Sequence, residues 1–565
     1  MLKQWGLGNF KSFYEETKLD LAPLTILTGG NSSGKSSFIQ SMLLIAQTFD
    51  YPFEDTELLL NGSYVELGFL KDNLSDPTKD FFVSFSYLAS NLDFKKINVE
   101  YSLNFNINEK LLNMKCSCHE IQRDSNDENK GNFTVRRAKN GDIVLENYDG
   151  FFEPDLEIYG DPIKANGIKV TLNKFLPEYY YFAPDHPKMV EINKKALFEF
   201  LKDLNDQIPD TFDHIKDDII KTLLTRIRIL LDKDNNDSPD NITEINSCIN
   251  KLNEVNLDHR LYDFNDFIYH YMDDAKIIDV VPSERFSILK DFLEEEFSLF
   301  RYIAPLRFKG AIHPISLNIS NKGPGSGENL AAIFNKVAEG YVDYLSPKYI
   351  SNYSESFLNK EILTFKKALE NWLEYLEIAK EIKVEQIDNI GFSLKIKPFK
   401  HKAHDSDGFL DLTQVGTGIS QVLPILAMGL LAEKNSILLF EQPELHLHPP
   451  MQARLADFFI SLALLGKQCI IESHSEYFID IFRARISKSL LNNSEHIKNI
   501  TKIYFFEKGD SGTKVIPIEI NEYAGYTDWP EGFFEERHKI DEEILDNLNE
   551  KITYEGEDDS EQIND

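Results

Sequence analysis

Cysteine is scarce in this 565-residue chain: Cys116, Cys118, Cys248 and Cys469 are its only thiols. They are too few and too scattered for a disulfide framework. Cys116-Ser117-Cys118-His119 has no matching pair elsewhere, so it reads as alternate positions on a strand rather than half of a metal site. Long apolar runs are missing too. None reaches the roughly 18 residues a membrane span requires, and the first residues do not form a signal peptide, so a cytoplasmic protein with no membrane contact is expected. Positive charge is also short, with 60 basic against 93 acidic residues and a formal net charge of −33. Such a surface repels a phosphate backbone at long range and excludes a generic nucleic-acid coat. Two basic segments, 135–139 (VRRAK) and 221–228, read as solvated faces, although they leave room for a local nucleic-acid contact. Residues 555–565 carry six acids and no base and should form a disordered tail.

What is present is apolar and aromatic. Hydrophobic residues make up 42% of the chain and aromatic ones 12%, with 41 Phe and 24 Tyr, enough for two to four packed domains. The most specific stretch is 29–36, GGNSSGKS, which fits the P-loop pattern of Gly, four variable residues, Gly, Lys and Ser. An apolar run at 24–27 precedes it and SFIQSMLL at 37–44 follows, giving strand, glycine-rich turn and helix. Gly29, Gly30 and Gly34 let the backbone wrap closely, while Asn31, Ser32 and Ser33 complete the loop and Ser37 continues the helix. The helix N-terminus favours an anion. Lys35 is placed to reach the β and γ phosphates, and Ser36 to ligate magnesium. A bound nucleoside triphosphate is the direct implication.

The far end of the chain narrows the class. Residues 436–450, SILLFEQPELHLHPP, form an apolar strand that delivers Glu441, as a Walker B strand does. Upstream, 411–421 (DLTQVGTGISQ) is a glycine-rich turn opening an apolar helix, in the place of an ABC signature motif. Downstream, 469–475 (CIIESHS) is a buried strand reaching His474, in the place of a switch histidine.

Together these motifs resemble the ABC-type ATPase heads of SMC, RecF and OLD-like proteins. The opening 7–13 (LGNFKSF) is similar to the strand that precedes the P-loop in that group and brings Lys11 among the nucleotide-binding candidates. The resemblance is closer to a prokaryotic family of AAA-type ATPases that shares the EQPELHLHP string and ends in an uncharacterised domain with a WPEGFF signature, here 529–534. LNG at 60–62, ELG at 66–68 and YIAPLR at 302–307 also match its pattern. It implies an α/β ABC-type head with ATP and Mg²⁺ as cofactors, Ser36 and Glu441 holding the metal. It also implies head-to-head pairing in a homodimer or higher oligomer, with Gly416, Thr417, Gly418 and Ser420 closing on the partner's γ-phosphate and His474 touching the same group. His446 and His448 have ligand-like spacing but belong to the loop after Walker B and are left out of any metal site.

One departure bears on chemistry. The general base of such heads is the Glu after the Walker B acid, and here that place holds Gln442. An amide orients a water but does not take its proton. Glu444 is either a substitute base, if the loop folds back, or a residue of the dimer seam. ATP is therefore expected to bind well and hydrolyse slowly.

Along the chain, 1–185 reads as the first ATPase lobe and 301–480 as the second. Between them 186–300 reads as a compact helical insertion, with apolar residues at helical spacing from Ile215 to Leu231 and no sustained heptads. The turn NKGPGSGEN at 321–329 reads as a connector, with a second phosphate-facing loop as the alternative. Residues 481–546 form a small C-terminal module with a hairpin turning at 508–512, and 547–565 are the acidic tail. The aromatic cluster at 529–534 either docks a partner or packs on the head. Two functions follow from the resemblance: an ATP-gated regulatory or assembly subunit for a separate effector, a nuclease, in prokaryotic defence, or a DNA-repair or chromosome-clamp ATPase. The acidity, the short insertion and Gln442 favour the first.

Overall fold

The computed structural model describes residues 1–50, 58–90, 96–121, 129–139, 143–147, 157–158, 161–162, 168–173, 176–182, 277–278, 284–305, 313–314, 330–351, 360–387, 391–399, 408–415, 417–492, 494 and 496–527. Most of the insertion, the 321–329 turn, the WPEGFF segment and the acidic tail lie outside these.

Two large sheets face each other across helices. One has six strands in the order Phe300–Ile303, Ile437–Glu441, Gln468–Glu472, Leu24–Gly29, Thr501–Gly509, Gly512–Ile518, parallel except for the last. The strand carrying His474 at its exit therefore separates the P-loop strand from the Walker B strand. The second sheet has ten antiparallel strands and contains Leu2–Gly8 beside Phe81–Ser90 near one edge. Its far edge is the strand Ile277–Ile278, which lies within 186–300. The hairpin expected at 508–512 is present, and its two strands extend the six-stranded sheet.

Strand periodicity builds the layers. In Ile437–Glu441 every residue is buried, but Ile437 and Leu439 point into one core while Leu438 and Phe440 point into another. The first core is filled by the P-loop helix, Lys35–Asp50, and by Glu284–Ser298, both caught between the two sheets. Sequestration on all sides explains why twelve of the P-loop helix's sixteen residues are buried. The second core is covered by Phe365–Tyr375, Thr417–Leu431, Pro449–Leu464 and Glu476–Leu491. Asp457, fully buried, ties three of these helices together: Arg485 donates to it through Nε at 2.6 Å and Nη2 at 3.0 Å, and Tyr375 OH donates at 2.7 Å. With both faces covered, a parallel sheet leaves only its strand ends for chemistry.

Cys116 is buried on the strand Leu111–Ile121, in keeping with the alternating-strand reading. Among the described residues no helix is long and apolar enough to cross a membrane.

Candidate nucleotide-binding site

The carboxyl ends of the parallel strands converge on the P-loop. Gly29 (φ 134°) and Gly34 (φ 106°) adopt left-handed backbone that disfavours a side chain, and Ser32 follows at φ 58°. The structure adds a second reason for both glycines. A Cβ on Gly29 would stand 2.1 Å from the Phe506 carbonyl oxygen, and one on Gly34 would stand 2.4 Å from Thr513 Oγ1. The C-terminal hairpin thus packs directly on the phosphate loop. Thr513 Oγ1 donates to the Ser33 carbonyl at 2.9 Å and lies 2.7 Å from Ser12 Oγ, and Thr513 N donates to Ser12 O at 2.7 Å.

Lys35 opens the helix and is buried. Its ammonium donates to Gly29 O at 3.0 Å, Gly30 O at 2.6 Å and Ser33 Oγ at 3.2 Å, so its three protons are committed to the loop. Burial lowers its pKa to about 8, with the nearby Glu472 carboxylate working in the opposite direction. Gly30, Asn31 and Ser32 are exposed around the mouth of the loop, and Ser36 and Ser37 are half-buried on the first helical turn.

Ser36 Oγ donates to Glu472 Oε1 at 2.9 Å. Glu472 ends the central strand, directly in register with Glu441 on the neighbouring one. Glu441 accepts a hydrogen bond from Tyr302 OH at 3.1 Å. Its charge also acts on Lys11, whose pKa is lowered by burial and partly restored by Glu441. Lys11 itself donates through Nζ to Gln40 Oε1. The sequence reading assigns Ser36 and Glu441 to the metal; in the structure Ser36 is hydrogen-bonded to Glu472, the strand-end neighbour of Glu441.

After Glu441 the chain turns sharply. Gln442 adopts φ 44° and donates its backbone N–H to the Glu472 carbonyl at 2.9 Å. Glu444 folds back under the site, where Oε1 accepts from Ser473 Oγ at 2.7 Å and from His474 N at 3.1 Å. Burial raises the pKa of Glu444. Burial also raises that of Glu472, opposed by the Ser36 hydroxyl and Lys35 and reinforced by Glu444. His474 Nε2 stands 3.7 Å from Glu472 Oε1. Burial and the charge of Lys35 lower its pKa, and a bond to the Gly29 backbone partly restores it. The P-loop residues, Glu441, Glu444 and His474 thus meet at one edge.

Gly418 packs against the loop after Walker B, where an added Cβ would lie 3.0 Å from the His446 carbonyl oxygen. Ser420 is buried within the chain; Gly416 and the Thr417 side chain lie outside the described residues. His446 and His448 are exposed, and among the described residues no three His, Cys, Asp or Glu groups converge as metal ligands. Sequence reasoning missed Glu472 and Thr513. An acid ending a buried strand whose middle is apolar, Cys469 to Ile471, was a legible signal for the first; nothing local marks the second.

Three-dimensional similarity extends to an SMC head domain from Thermotoga maritima (8% identity, TM-score 0.30, covering 92% of this chain and 99% of that one). It extends also to a Pyrococcus furiosus Smc head domain with an extended coiled coil bound to the C-terminal domain of ScpA (12% identity, TM-score 0.30, 96% and 99% covered). No curated protein matches in sequence. Residues 498–541 match a family described as a protein of unknown function (DUF3696). Residues 1–479 match the AAA ATPase domain family, and with that much of its length accounted for, the chain belongs to this family of ATPases.

Proposed function

We propose that this chain is an ATP-binding, slowly hydrolysing ABC-type head that works as the regulatory or assembly subunit of a separate effector, a nuclease, in prokaryotic defence against phage or plasmids. The observation that carries the slow-switch part is the fate of the carboxylates around Gln442. Glu444, the nearest substitute base, has one oxygen tied to Ser473 and the His474 backbone. Gln442 follows the acidic strand and has no basic group to offer, so it orients water at most. Residues that fit a magnesium ion are Ser36 with one of the two neighbouring strand-end acids, Glu441 or Glu472; such an ion would supply charge neutralisation on the phosphates. Lys35 and the loop amides bind and orient the nucleotide.

A nucleotide that stays bound is suited to stabilising one arrangement of paired heads rather than driving repeated strokes. The net charge of −33 also speaks for a protein partner rather than DNA as the main ligand. Turnover is expected well below the typical enzyme rate of about 10 per second, and Gln442→Glu should raise it. A fast wild type that collapses in Glu444→Gln would move the base to Glu444. Co-purification with the product of an adjacent gene, and an effector activity that changes with ATP, are the expected partner results. Tight ATP-dependent clamping of DNA without any partner would favour the repair reading instead.

A further inference from the structure

We propose that Glu472, rather than the Walker B acid Glu441, is the carboxylate that meets the divalent cation carried in with the nucleotide, sharing it with Ser36. The proposal rests on the nucleotide reading above and deepens it. Glu472 is only 2% exposed, yet its Oε2 has no hydrogen-bond partner. Oε1 is the oxygen bonded to Ser36, the side chain whose place in the P-loop faces the metal. Nearby Glu444, also buried, has its own unpartnered Oε2, so two carboxylates lie close together out of water. The nearby ammonium of Lys35 gives no relief by hydrogen bonding, because it spends its donors on Gly29, Gly30 and Ser33.

A buried carboxylate oxygen without a donor is costly, and a divalent cation removes that cost more completely than a water does. Glu441 is placed differently. It takes the Tyr302 hydroxyl and faces the charge of Lys11, which suits an acid that positions the loop and the water. Two protein oxygens are also a reasonable number. Magnesium at phosphate sites keeps waters and phosphate oxygens as its remaining ligands and takes only one or two from side chains.

The test compares the affinity of the full chain for a non-hydrolysable fluorescent ATP analogue in Mg²⁺ and in EDTA. Wild type should bind about tenfold or more tightly with Mg²⁺, a difference of ~1.4 kcal/mol or greater. In Glu472→Gln, which keeps an acceptor for Ser36 but loses the charge, the gap should close while the EDTA affinity stays near wild type. Glu441→Gln should keep most of the gap. A gap that survives in Glu472→Gln, or vanishes only in Glu441→Gln, overturns the proposal while leaving ATP binding intact. Wild type that binds in neither buffer removes the nucleotide reading and this inference with it. Should the Gln variant not fold, electron paramagnetic resonance of Mn²⁺ with the analogue on Glu472→Asp decides: an unchanged bound-Mn²⁺ spectrum overturns the proposal, and an altered or weakened one supports it.

Discussion

The two large sheets use the same backbone for opposite ends. Along Phe81–Ser90 the inward positions Phe81, Val83, Phe85 and Tyr87 are buried while the residues between them are half-covered, so one face is core and one is surface. Its interior is aromatic: Phe85 stacks on Trp5 at 5.5 Å and on Tyr101 at 5.3 Å. In Gln468–Glu472 and Ile437–Glu441 every position is buried, and the only charged residues are the last ones. Antiparallel strands here build a wall; parallel strands deliver side chains to an edge. The lesson is that stability and chemistry are separated along the strand direction, and the P-loop helix is the element that touches both.

The largest loss should follow removal of an aromatic that packs against the wall from the helix Glu284–Ser298. Phe297 stacks on Phe49 at 4.1 Å and Phe300 at 5.5 Å and meets Phe85 edge-on at 5.2 Å. Phe297→Ala should cost about 3–5 kcal/mol in denaturant unfolding. A loss below about 1 kcal/mol would mean that the wall repacks or is only loosely joined. On the helical side of the parallel sheet, Arg485→Ala strands the buried Asp457 carboxylate and should cost a comparable ~3–5 kcal/mol. Asp457→Asn combined with Arg485→Ala should recover part of that, and no recovery would show that packing of the Arg485 stem, not charge, was lost.

At the edge, effects should fall on binding rather than folding. Lys35→Ala is expected to weaken ATP by roughly 100-fold, ~2.8 kcal/mol by calorimetry, with an unchanged circular dichroism spectrum. Thr513→Val deletes the bond to the Ser33 carbonyl and should cost about 1 kcal/mol in stability together with a several-fold loss of ATP affinity. Unchanged affinity in that variant would show that the C-terminal hairpin is a passive neighbour of the loop.

A graded effect is expected on pH. Lys35 has a folded pKa of about 8 against 10.5 for a free lysine. Between those values the unfolded chain holds more protons, so this group makes the fold more stable as pH rises through the window. ATP binding needs the ammonium charged, so affinity should decline above about pH 8 by at most tenfold per unit, with proton uptake on binding. Flat affinity from pH 7 to 9, measured in buffers of different ionisation enthalpy, would show that the loop, not Lys35, sets the affinity.

The P-loop was fully legible in the sequence because its chemistry is local. Eight consecutive residues set the turn, the charge and the helix start, and no distant contact is needed to read them. The acidic strand and the histidine strand were legible as apolar runs ending in polar groups. Their neighbourhood was not, because strand order depends on crossovers of dozens of residues that leave no mark on the strand itself. Glu472 was passed over for that reason: its partner Ser36 is 436 positions away.

By itself the sequence determined that a glycine-rich loop with Lys35 and Ser36 would open a helix after an apolar strand. This follows from residue type and short spacing, which act through the backbone within a few bonds. Only the tertiary structure decided which acid meets Ser36, that Glu444 turns inward, and that Thr513 closes on the phosphate loop. Each of those depends on which strand lies beside which in the six-stranded sheet, and that order is set by the packing of two cores on its opposite faces.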